Sequence, residues 1–305
     1  MGYLVGVDGG GTSTRVLIVH SDSPDMPIVR KFDVSLKIRN KAYAACASGL
    51  GKLLESIGDG IIGDIDGLVL GLSGALREEL QTWINAEIAR WFRMPRERVR
   101  VMSDLELVLE AAVQDGGQGA VLIAGTGSSF ICRSAKGIRR ICGGWGPLIG
   151  DEGSGTWIGL EAAKHLTRRF DGREHAYKFY IELLGALPGN VSNDLRSLPA
   201  ALLSEPALAS QLCEAVLNSQ CNEPFSSLII DRAVESLVSL VEGGLRQIEW
   251  TEGKIAIHGG IGLHPVIYPR LKEALSKHSG LGVTQLAEDT VLKRALEMAR
   301  ELIRQ

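Results

Sequence analysis

The chain has 305 residues, 45% of them hydrophobic and 23% charged, which is typical of a folded protein and long enough for two domains. The formal net charge of -3 and the pI of about 6.1 predict no broad basic surface, so we expect no nucleic-acid partner. No apolar run reaches the roughly 20 residues that span a bilayer, and the first residues lack a signal-peptide pattern, so we expect no membrane partner and a cytoplasmic location.

The first half of the chain alternates short apolar runs with segments of helical spacing. A glycine-rich turn separates the first two apolar runs, which predicts a β-hairpin at the start. The predicted elements are strands over residues 4–7 and 15–20, a helix over 41–57 with Asn40 as its N-cap, a strand over 67–72, a helix over 78–92, a strand over 99–102 and a helix over 105–113.

The second half repeats the opening pattern, with an apolar strand, a glycine-rich turn containing Thr and Ser, and another apolar strand. The predicted elements are strands over 119–123 and 130–132, helices over 157–247 with breaks near 185–190 and 222–224, a strand over 254–257 and a helix over 288–304. The repeat predicts an N-terminal domain over 1–115 and a C-terminal domain with a helical insertion over 116–305. Two such hairpins favour a nucleotide held between the two domains.

The first hairpin reads VGVDGGGTSTRVLIV over residues 5–19. A Walker A loop needs a lysine that reaches the phosphates, and no lysine lies between Met1 and Val29. A dinucleotide-binding loop opens a helix, whereas an apolar β-run follows these glycines. The stretch therefore indicates a strand–turn–strand phosphate loop.

In such a loop, backbone N–H groups at Gly10 and Gly11 approach a phosphate, and the hydroxyls of Thr12 and Thr14 add donors. Asp8 would repel a phosphate directly, so we expect it to organise Mg²⁺ between itself and the nucleotide. The alternative for the loop taken alone is a plain hairpin turn with an incidental aspartate.

Three motifs along the chain resemble the actin, sugar-kinase and heat-shock-chaperone ATPase superfamily, in which two ribonuclease-H-like halves enclose ATP. GVDGGGTSTRVLIV is similar to its first phosphate motif, LIAGTGSSFICR to its second and IAIHGGIG to its adenosine motif. Ser103-Asp104 and the long stretch CGGWGPLIGDEGSGTWIG resemble the BadF/BadG/BcrA/BcrD ATPase family, in its N-acetylglucosamine kinase branch. The resemblance implies an α/β fold of two actin-like ATPase domains with a nucleotide and sugar cleft between them, and a homodimer.

The resemblance also implies a site. Asp104, where a strand stops and a helix starts, would be the general base that takes the proton of a sugar hydroxyl; the alternative is a helix N-cap. Asp151 would bind sugar hydroxyls, and Trp145 would stack on the sugar or pack in the core. The remaining candidates are Gly125, Thr126, Gly127, Ser128, Gly259 and Gly260 for the nucleotide, and Asn40, Ser73, Gly74, Thr126 and Gly144 for the sugar.

The segment before Asn40 departs from the family pattern, and three cations, Lys37, Arg39 and Lys41, cluster there. They form either a solvated basic edge or a site for an anionic substituent, such as the lactyl group of N-acetylmuramic acid. The acceptor is therefore open among N-acetylglucosamine, glucosamine, glucose and N-acetylmuramic acid.

We expect an ATP- and Mg²⁺-dependent kinase that phosphorylates a hexose or amino sugar, with conversion of N-acetylglucosamine to its 6-phosphate as the best assignment. One alternative is an ATPase activator of a CoA-ester dehydratase or reductase, which holds an iron–sulfur cluster through cysteines. The five cysteines here are scattered and lack that context. The other alternative is a non-catalytic sugar sensor.

Overall fold

The computed structural model describes residues 2–10, 13–32, 36, 49, 60–113, 117–175, 177–219, 224–250, 253–277 and 281–304. The chain divides into two compact units, the first made of Met1–Gly116 with Leu286–Gln305 and the second of Gly117–Gln285. The predicted boundary after residue 115 lies within one residue of this division. Residues 286–305, however, belong to the first unit and not to the predicted C-terminal domain.

The elements follow in chain order. They are β1 (Tyr3–Gly9), β2 (Thr14–His20), β3 (Ser23–Phe32), β4 (Ile65–Leu72), α1 (Glu78–Trp91), β5 (Val99–Ser103), α2 (Asp104–Ala112), β6 (Gly119–Ala124), β7 (Ser128–Arg133), β8 (Arg139–Gly143), α3 (Gly155–Phe170), α4 (Tyr177–Gly185), α5 (Gly189–Ser192), α6 (Leu198–Ser204), α7 (Ala207–Leu217), α8 (Pro224–Leu245), β9 (Gly253–His258), α9 (Tyr268–Ser276), β10 (Leu281–Gln285) and α10 (Glu288–Leu302).

The sheet of the first unit has the strand order β3-β2-β1-β4-β5. β1, β2 and β3 form an antiparallel meander, and β4 and β5 run parallel to β1. The central strands are buried on both faces, and Val5, Val7 and Leu70 are fully inaccessible to solvent. The carboxyl ends of β1, β4 and β5 therefore meet at one edge of the sheet.

The sheet of the second unit repeats this topology with the order β10-β9-β6-β7-β8. β6, β7 and β8 are antiparallel, and β9 and β10 run parallel to β6. Both sheets thus have the strand order and directions of the ribonuclease-H-like fold, which confirms the predicted α/β fold class and its duplication. Helices between β8 and β9 form the predicted helical insertion, and they share one core with the sheet.

The C-terminal helix α10 packs on β1 and β4, which explains its membership of the first unit. Glycines at the contact allow this close approach. A Cβ atom at Gly6 would lie 2.9 Å from the Ala295 Cβ, and one at Gly67 would lie 2.5 Å from the Ala299 carbonyl oxygen. The helix backbone therefore lies where side chains of larger residues would otherwise stand.

The apolar pattern of the sequence predicts the central strands but not β3, β8, β10 or α9. The three missed strands are all edge strands, whereas the fourth edge strand, β5, is predicted. β3 contains Pro24 and Pro27, which edge strands tolerate. The predicted helix over 41–57 lies outside the residues that the structure describes, apart from Gly49. In the described ranges, none of the helices has the length and apolar composition to cross a bilayer.

Candidate active site

The first predicted phosphate loop joins β1 and β2. Asp8 on β1 lies opposite Arg15 on β2, and Arg15 Nη2 is 2.5 Å from Asp8 Oδ2. The Gly10 N–H donates to the Ser13 carbonyl at 3.0 Å, and Thr14 is fully buried. Two predicted contacts of this loop, Gly11 and Thr12, lie outside the described residues. The described part forms a tight turn with one charged pair at its base.

The turn after β4 is tied to the end of β1. The Ser73 N–H donates to the Gly9 carbonyl at 2.8 Å, and Gly74 adopts a left-handed conformation with φ of 88°. Ser73 is half-buried and Gly74 is exposed. These two predicted sugar contacts therefore lie beside the first phosphate loop, at the carboxyl edge of the sheet.

Asp104 is the first residue of α2, directly after β5. The N-cap is Ser103, whose hydroxyl accepts from the Glu106 N–H while Glu106 accepts from the Ser103 N–H. The capping function therefore falls to Ser103. The half-buried Asp104 carboxylate accepts the Leu105 N–H at Oδ1 over 2.9 Å, and the helix N-terminus favours its negative charge.

The second predicted phosphate loop, between β6 and β7, is connected by hydrogen bonds to the start of α3. The Gly125 N–H donates to the Gly127 carbonyl at 2.9 Å. In return, the Gly155 and Thr156 N–H groups donate to the carbonyls of Gly125 and Thr126, at 2.8 and 3.3 Å. The Ser128 hydroxyl donates to the Glu152 carbonyl at 2.8 Å. The turn and the helix N-terminus thus form one rigid piece.

Asp151 stands in the tight turn before α3. It is buried and adopts a left-handed conformation with φ of 58°, which is uncommon outside glycine. Its carboxylate lies against Gly127, because a Cβ at that glycine would be 2.9 Å from Asp151 Oδ2. Asp151, the residue predicted to bind the sugar, therefore lies directly beside the second predicted phosphate loop. Backbone strain of this kind is characteristic of functional sites.

The turn after β9 contacts the end of β6, where the second predicted phosphate loop begins. The Ile261 and Gly262 N–H groups donate to the Ala124 carbonyl at 3.0 and 2.9 Å. Gly259 has φ of 95°, and a Cβ there would be 2.5 Å from the Ala124 oxygen. Gly260 is exposed, and a Cβ there would meet nothing within 4 Å. Three loops of the second unit thus converge at the end of β6.

The loop after β8 carries Gly144 and Trp145. The Gly144 N–H donates to the Ser128 carbonyl at 2.9 Å, which anchors the loop to β7. Trp145 is 75% exposed, so it is not a core residue, and the neighbouring Leu148 and Ile149 are also exposed. An exposed indole ring can stack on the apolar face of a sugar.

Three positions that were singled out from the sequence, Lys37, Arg39 and Lys41, lie outside the described residues, and so does Asn40. Conversely, no role was assigned from the sequence to Arg15, the partner of Asp8, although it lies within the first motif, or to Gln81, which hydrogen-bonds to Glu106 in the cap of α2. A lone cation within the apolar run of β2 was the available signal for Arg15. Gln81 carries no sequence signal, because its partners come from other elements.

Magnesium is compatible with the donors at the first loop. Mg²⁺ prefers oxygen ligands and commonly uses one or two carboxylates together with substrate phosphates and water. Asp8 offers one such carboxylate. In the described part of the chain there is no group of three His, Cys, Asp or Glu residues that could hold a metal without the nucleotide.

Comparisons with known proteins identify the family of the chain. The sequence profile of the BadF/BadG/BcrA/BcrD ATPase family matches residues 5–285. An N-acetylmuramic acid/N-acetylglucosamine kinase of Clostridium acetobutylicum is 31% identical over 179 residues, 57% of this chain and 56% of that protein, so the match spans about half of this relative. An N-acetyl-D-glucosamine kinase of Dictyostelium discoideum is 25% identical over 261 residues, 80% of this chain and 79% of that protein.

Among solved structures, a candidate N-acetylglucosamine kinase from Chromobacterium violaceum is similar over 98% of this chain and 99% of that chain. Its TM-score is 0.75 and its sequence identity is 25%. The similarity therefore extends across both units and the helical insertion.

Proposed function

Because the chain belongs to the BadF/BadG/BcrA/BcrD ATPase family, we propose that it is an ATP-dependent kinase that phosphorylates the hydroxyl of an amino sugar. The preferred acceptor is N-acetylglucosamine, which would give the 6-phosphate. The names of the Clostridium and Dictyostelium relatives and of the Chromobacterium structure support this acceptor. The proposal includes Mg²⁺ at Asp8, a homodimer as the family resemblance implies, and a cytoplasmic location as the default expected from the sequence.

The observation that carries the proposal is the placement of Asp104. A carboxylate that follows β5 at the carboxyl edge of the sheet, held by the Leu105 N–H, is fixed in orientation. A general base of this kind takes the proton from the attacking hydroxyl as the phosphoryl group is transferred. The adjacent turn with Ser73 and Gly74 would orient the same sugar.

The nucleotide would be bound mainly by backbone groups. We assign the phosphates to Gly10, Gly11, Thr12 and Thr14 in the first loop and to Gly125, Thr126, Gly127 and Ser128 in the second. The first N–H groups of α3, like the Gly125 N–H, already donate within the second loop, so we expect the phosphate contacts from the other groups of the turn. Gly259 and Gly260 would let the chain approach the adenosine closely.

Asp8 is the residue that would hold Mg²⁺, through water, at the phosphates. When bound, the ion would neutralise charge that develops on the transferred group. Arg15 keeps the Asp8 carboxylate in place from the opposite strand.

On the sugar side, Asp151 would accept hydrogen bonds from two hydroxyls, since one carboxylate has two acceptor oxygens. Trp145 would stack on the ring, and Gly144 and Asn40 would complete the contacts.

A second acceptor is N-acetylmuramic acid, which the name of the Clostridium relative includes. Its lactyl carboxylate would need cations, and Lys37, Arg39 and Lys41 are the candidates. Alanine at Lys37 and Arg39 should then lower turnover of the muramic sugar and spare that of N-acetylglucosamine. Equal effects on both sugars would remove this role.

The electron-transfer alternative is disfavoured by two of the three described cysteines, Cys132 and Cys213, which are buried. Burial raises the pKa of Cys132 to about 11 and that of Cys213 to about 12, which favours the thiol over the thiolate that binds iron. Visible absorbance from a bound cluster in anaerobically purified protein would support this alternative.

The decisive experiment measures ADP release with a panel of N-acetylglucosamine, glucosamine, glucose and N-acetylmuramic acid. Asp104→Asn should lower kcat roughly 10²- to 10⁴-fold, the usual contribution of a general base. The matched control is Asp289→Asn, at an exposed position in the first turn of α10, which should keep full turnover. Full turnover by Asp104→Asn would refute the mechanism, and sugar binding without turnover by the unaltered chain would indicate a sensor.

A further inference from the structure

The polar side chain of Gln81 connects two parts of the proposed site. Gln81 lies in the first turns of α1, and its Nε2 atom donates to the Ala75 carbonyl at 2.7 Å. The same atom donates to Glu106 Oε2, also at 2.7 Å. Ala75 ends the turn that carries Ser73 and Gly74, so the two hydrogen bonds of one amide group join that turn to α2.

Glu106 passes this connection on to Asp104. The same Glu106 Oε2 atom accepts the Ser103 N–H at 2.9 Å and the Ser103 hydroxyl at 3.0 Å. Ser103 is fully buried and immediately precedes Asp104. Because the Glu106 carboxylate accepts hydrogen bonds from both Gln81 and Ser103, it is held in one position, and Ser103 is held with it.

We propose that Gln81 is a positioning residue that fixes Asp104 relative to the sugar-side turn at Ser73 and Gly74. This inference rests on the proposed function, because it assigns a catalytic purpose to the link. Gln81 touches neither reacting atom, and its effect passes through Glu106 and the Ala75 carbonyl. Errors of about 1 Å in the placement of a catalytic group can lower the rate about 10²-fold.

The chain offers a matched control on the same helix face. Asn85, one turn after Gln81, donates from Nδ2 to the Val99 carbonyl at 2.5 Å. Val99 is the first residue of β5, at the opposite end of the strand from Ser103. Gln81 and Asn85 thus make comparable helix-to-backbone hydrogen bonds, but only the one made by Gln81 reaches the proposed site.

The experiment compares Gln81→Met and Asn85→Ala in the intact chain by steady-state kinetics. Gln81→Met should lower kcat about tenfold or more and leave the KM for ATP within about twofold, because only the base and sugar-side turn are disturbed. Asn85→Ala should lower thermal stability and keep kcat within about twofold. A kcat of Gln81→Met equal to that of Asn85→Ala would overturn the proposal.

A pair of exchanged residues tests the contact itself. Gln81→Glu places two carboxylates together and should lose activity, whereas Gln81→Glu combined with Glu106→Gln restores a donor and an acceptor between these positions. The double variant should recover part of kcat, but not all, because a carboxylate at position 81 cannot donate to the Ala75 carbonyl. Absence of any recovery would indicate that the Gln81–Glu106 contact does not position the base.

Hydrogen–deuterium exchange separates this inference from the proposed function. Gln81→Met should speed exchange of the Ser103 and Glu106 amides about fivefold, as expected for the loss of one hydrogen bond, and Asn85→Ala should not. If the unaltered chain releases no ADP with any sugar, the proposed function fails and exchange alone decides whether the link exists. Unchanged exchange in Gln81→Met would refute it.

Discussion

Arg15 holds Asp8 across the first hairpin, with Arg15 Nη2 2.5 Å from Asp8 Oδ2 at directly opposed positions of β1 and β2. The second guanidinium nitrogen, Nη1, pairs with Glu288 at the start of α10. Both side chains of the Arg15–Asp8 pair are mostly buried, whereas that of Glu288 is largely exposed. One cation therefore orients the proposed magnesium-binding carboxylate and also fastens the C-terminal helix to the sheet.

The first prediction concerns this pair. Arg15→Met should lower the free energy of unfolding by about 2 kcal/mol, because it leaves the Asp8 carboxylate buried without its cation. Glu288→Gln removes only the exposed partner and should cost less than about 0.5 kcal/mol. Urea unfolding of both variants measures the difference. An equal decrease in the free energy of unfolding in both variants would show that the buried Arg15–Asp8 pair contributes no more to stability than the exposed one.

The second prediction concerns Gly127 and Asp151. A methyl group at Gly127 would lie 2.9 Å from Asp151 Oδ2, so Gly127→Ala should displace this carboxylate. We expect the sugar KM to rise about tenfold, the effect of losing one well-placed charged hydrogen bond. Gly125→Ala is the comparison, since a methyl group there meets nothing within 4 Å. A sugar KM that rises equally in both variants would contradict the assignment of Asp151.

The third prediction separates two adjacent glycines. Gly259→Ala should destabilise the fold by about 2 kcal/mol or more, because the position has φ of 95° and a methyl group would meet the Ala124 carbonyl at 2.5 Å. Gly260→Ala faces no atom within 4 Å and should change stability by less than about 0.5 kcal/mol. Thermal unfolding of the two variants gives the answer. Similar melting temperatures would mean that the turn after β9 rearranges freely.

The fourth prediction is a dependence on alkaline pH. Burial raises the pKa of Cys213 from its ordinary value near 9.0 to about 12, so the folded state retains a proton that the unfolded state loses. The resulting contribution to stability is complete below pH 9.0 and is lost as the pH rises toward 12. When the pH is raised from 8 to 10, the free energy of unfolding of Cys213→Ala should therefore fall by about 1 kcal/mol less than that of the unaltered chain. Parallel urea titrations at the two pH values test this, and identical losses would contradict it.

The interior strands of both sheets could be predicted from the sequence, whereas of the four edge strands only β5 could. β1, β4, β6 and β9 are continuous apolar runs, because the interior of each sheet is covered on both faces. β8 begins with two arginines and is exposed over its first residues, and β10 is only partly buried. An edge strand follows its neighbour through backbone hydrogen bonds, so its side chains carry little signal.

The candidate site divides in a similar way. Glycine turns and carboxylates at strand ends are local features, and Asp8, Asp104 and Asp151 could be singled out from them. Partners that depend on the packing of distant segments, such as Arg15 with Glu288 or Gln81 with Glu106, could not. Their geometry follows from strand register and helix placement, which no single stretch of sequence specifies.

The packing of α10 on Gly6 and Gly67 has a consequence for how the protein is made. The sheet of the first unit is synthesised first, yet the helix that covers it is translated only after the whole of Gly117–Gln285. The second unit is one continuous stretch of chain, so its core needs no segment from outside Gly117–Gln285. Until α10 is synthesised, the faces of β1 and β4 that it covers stay exposed. The first unit is therefore the part of the nascent chain with the greater need for a chaperone.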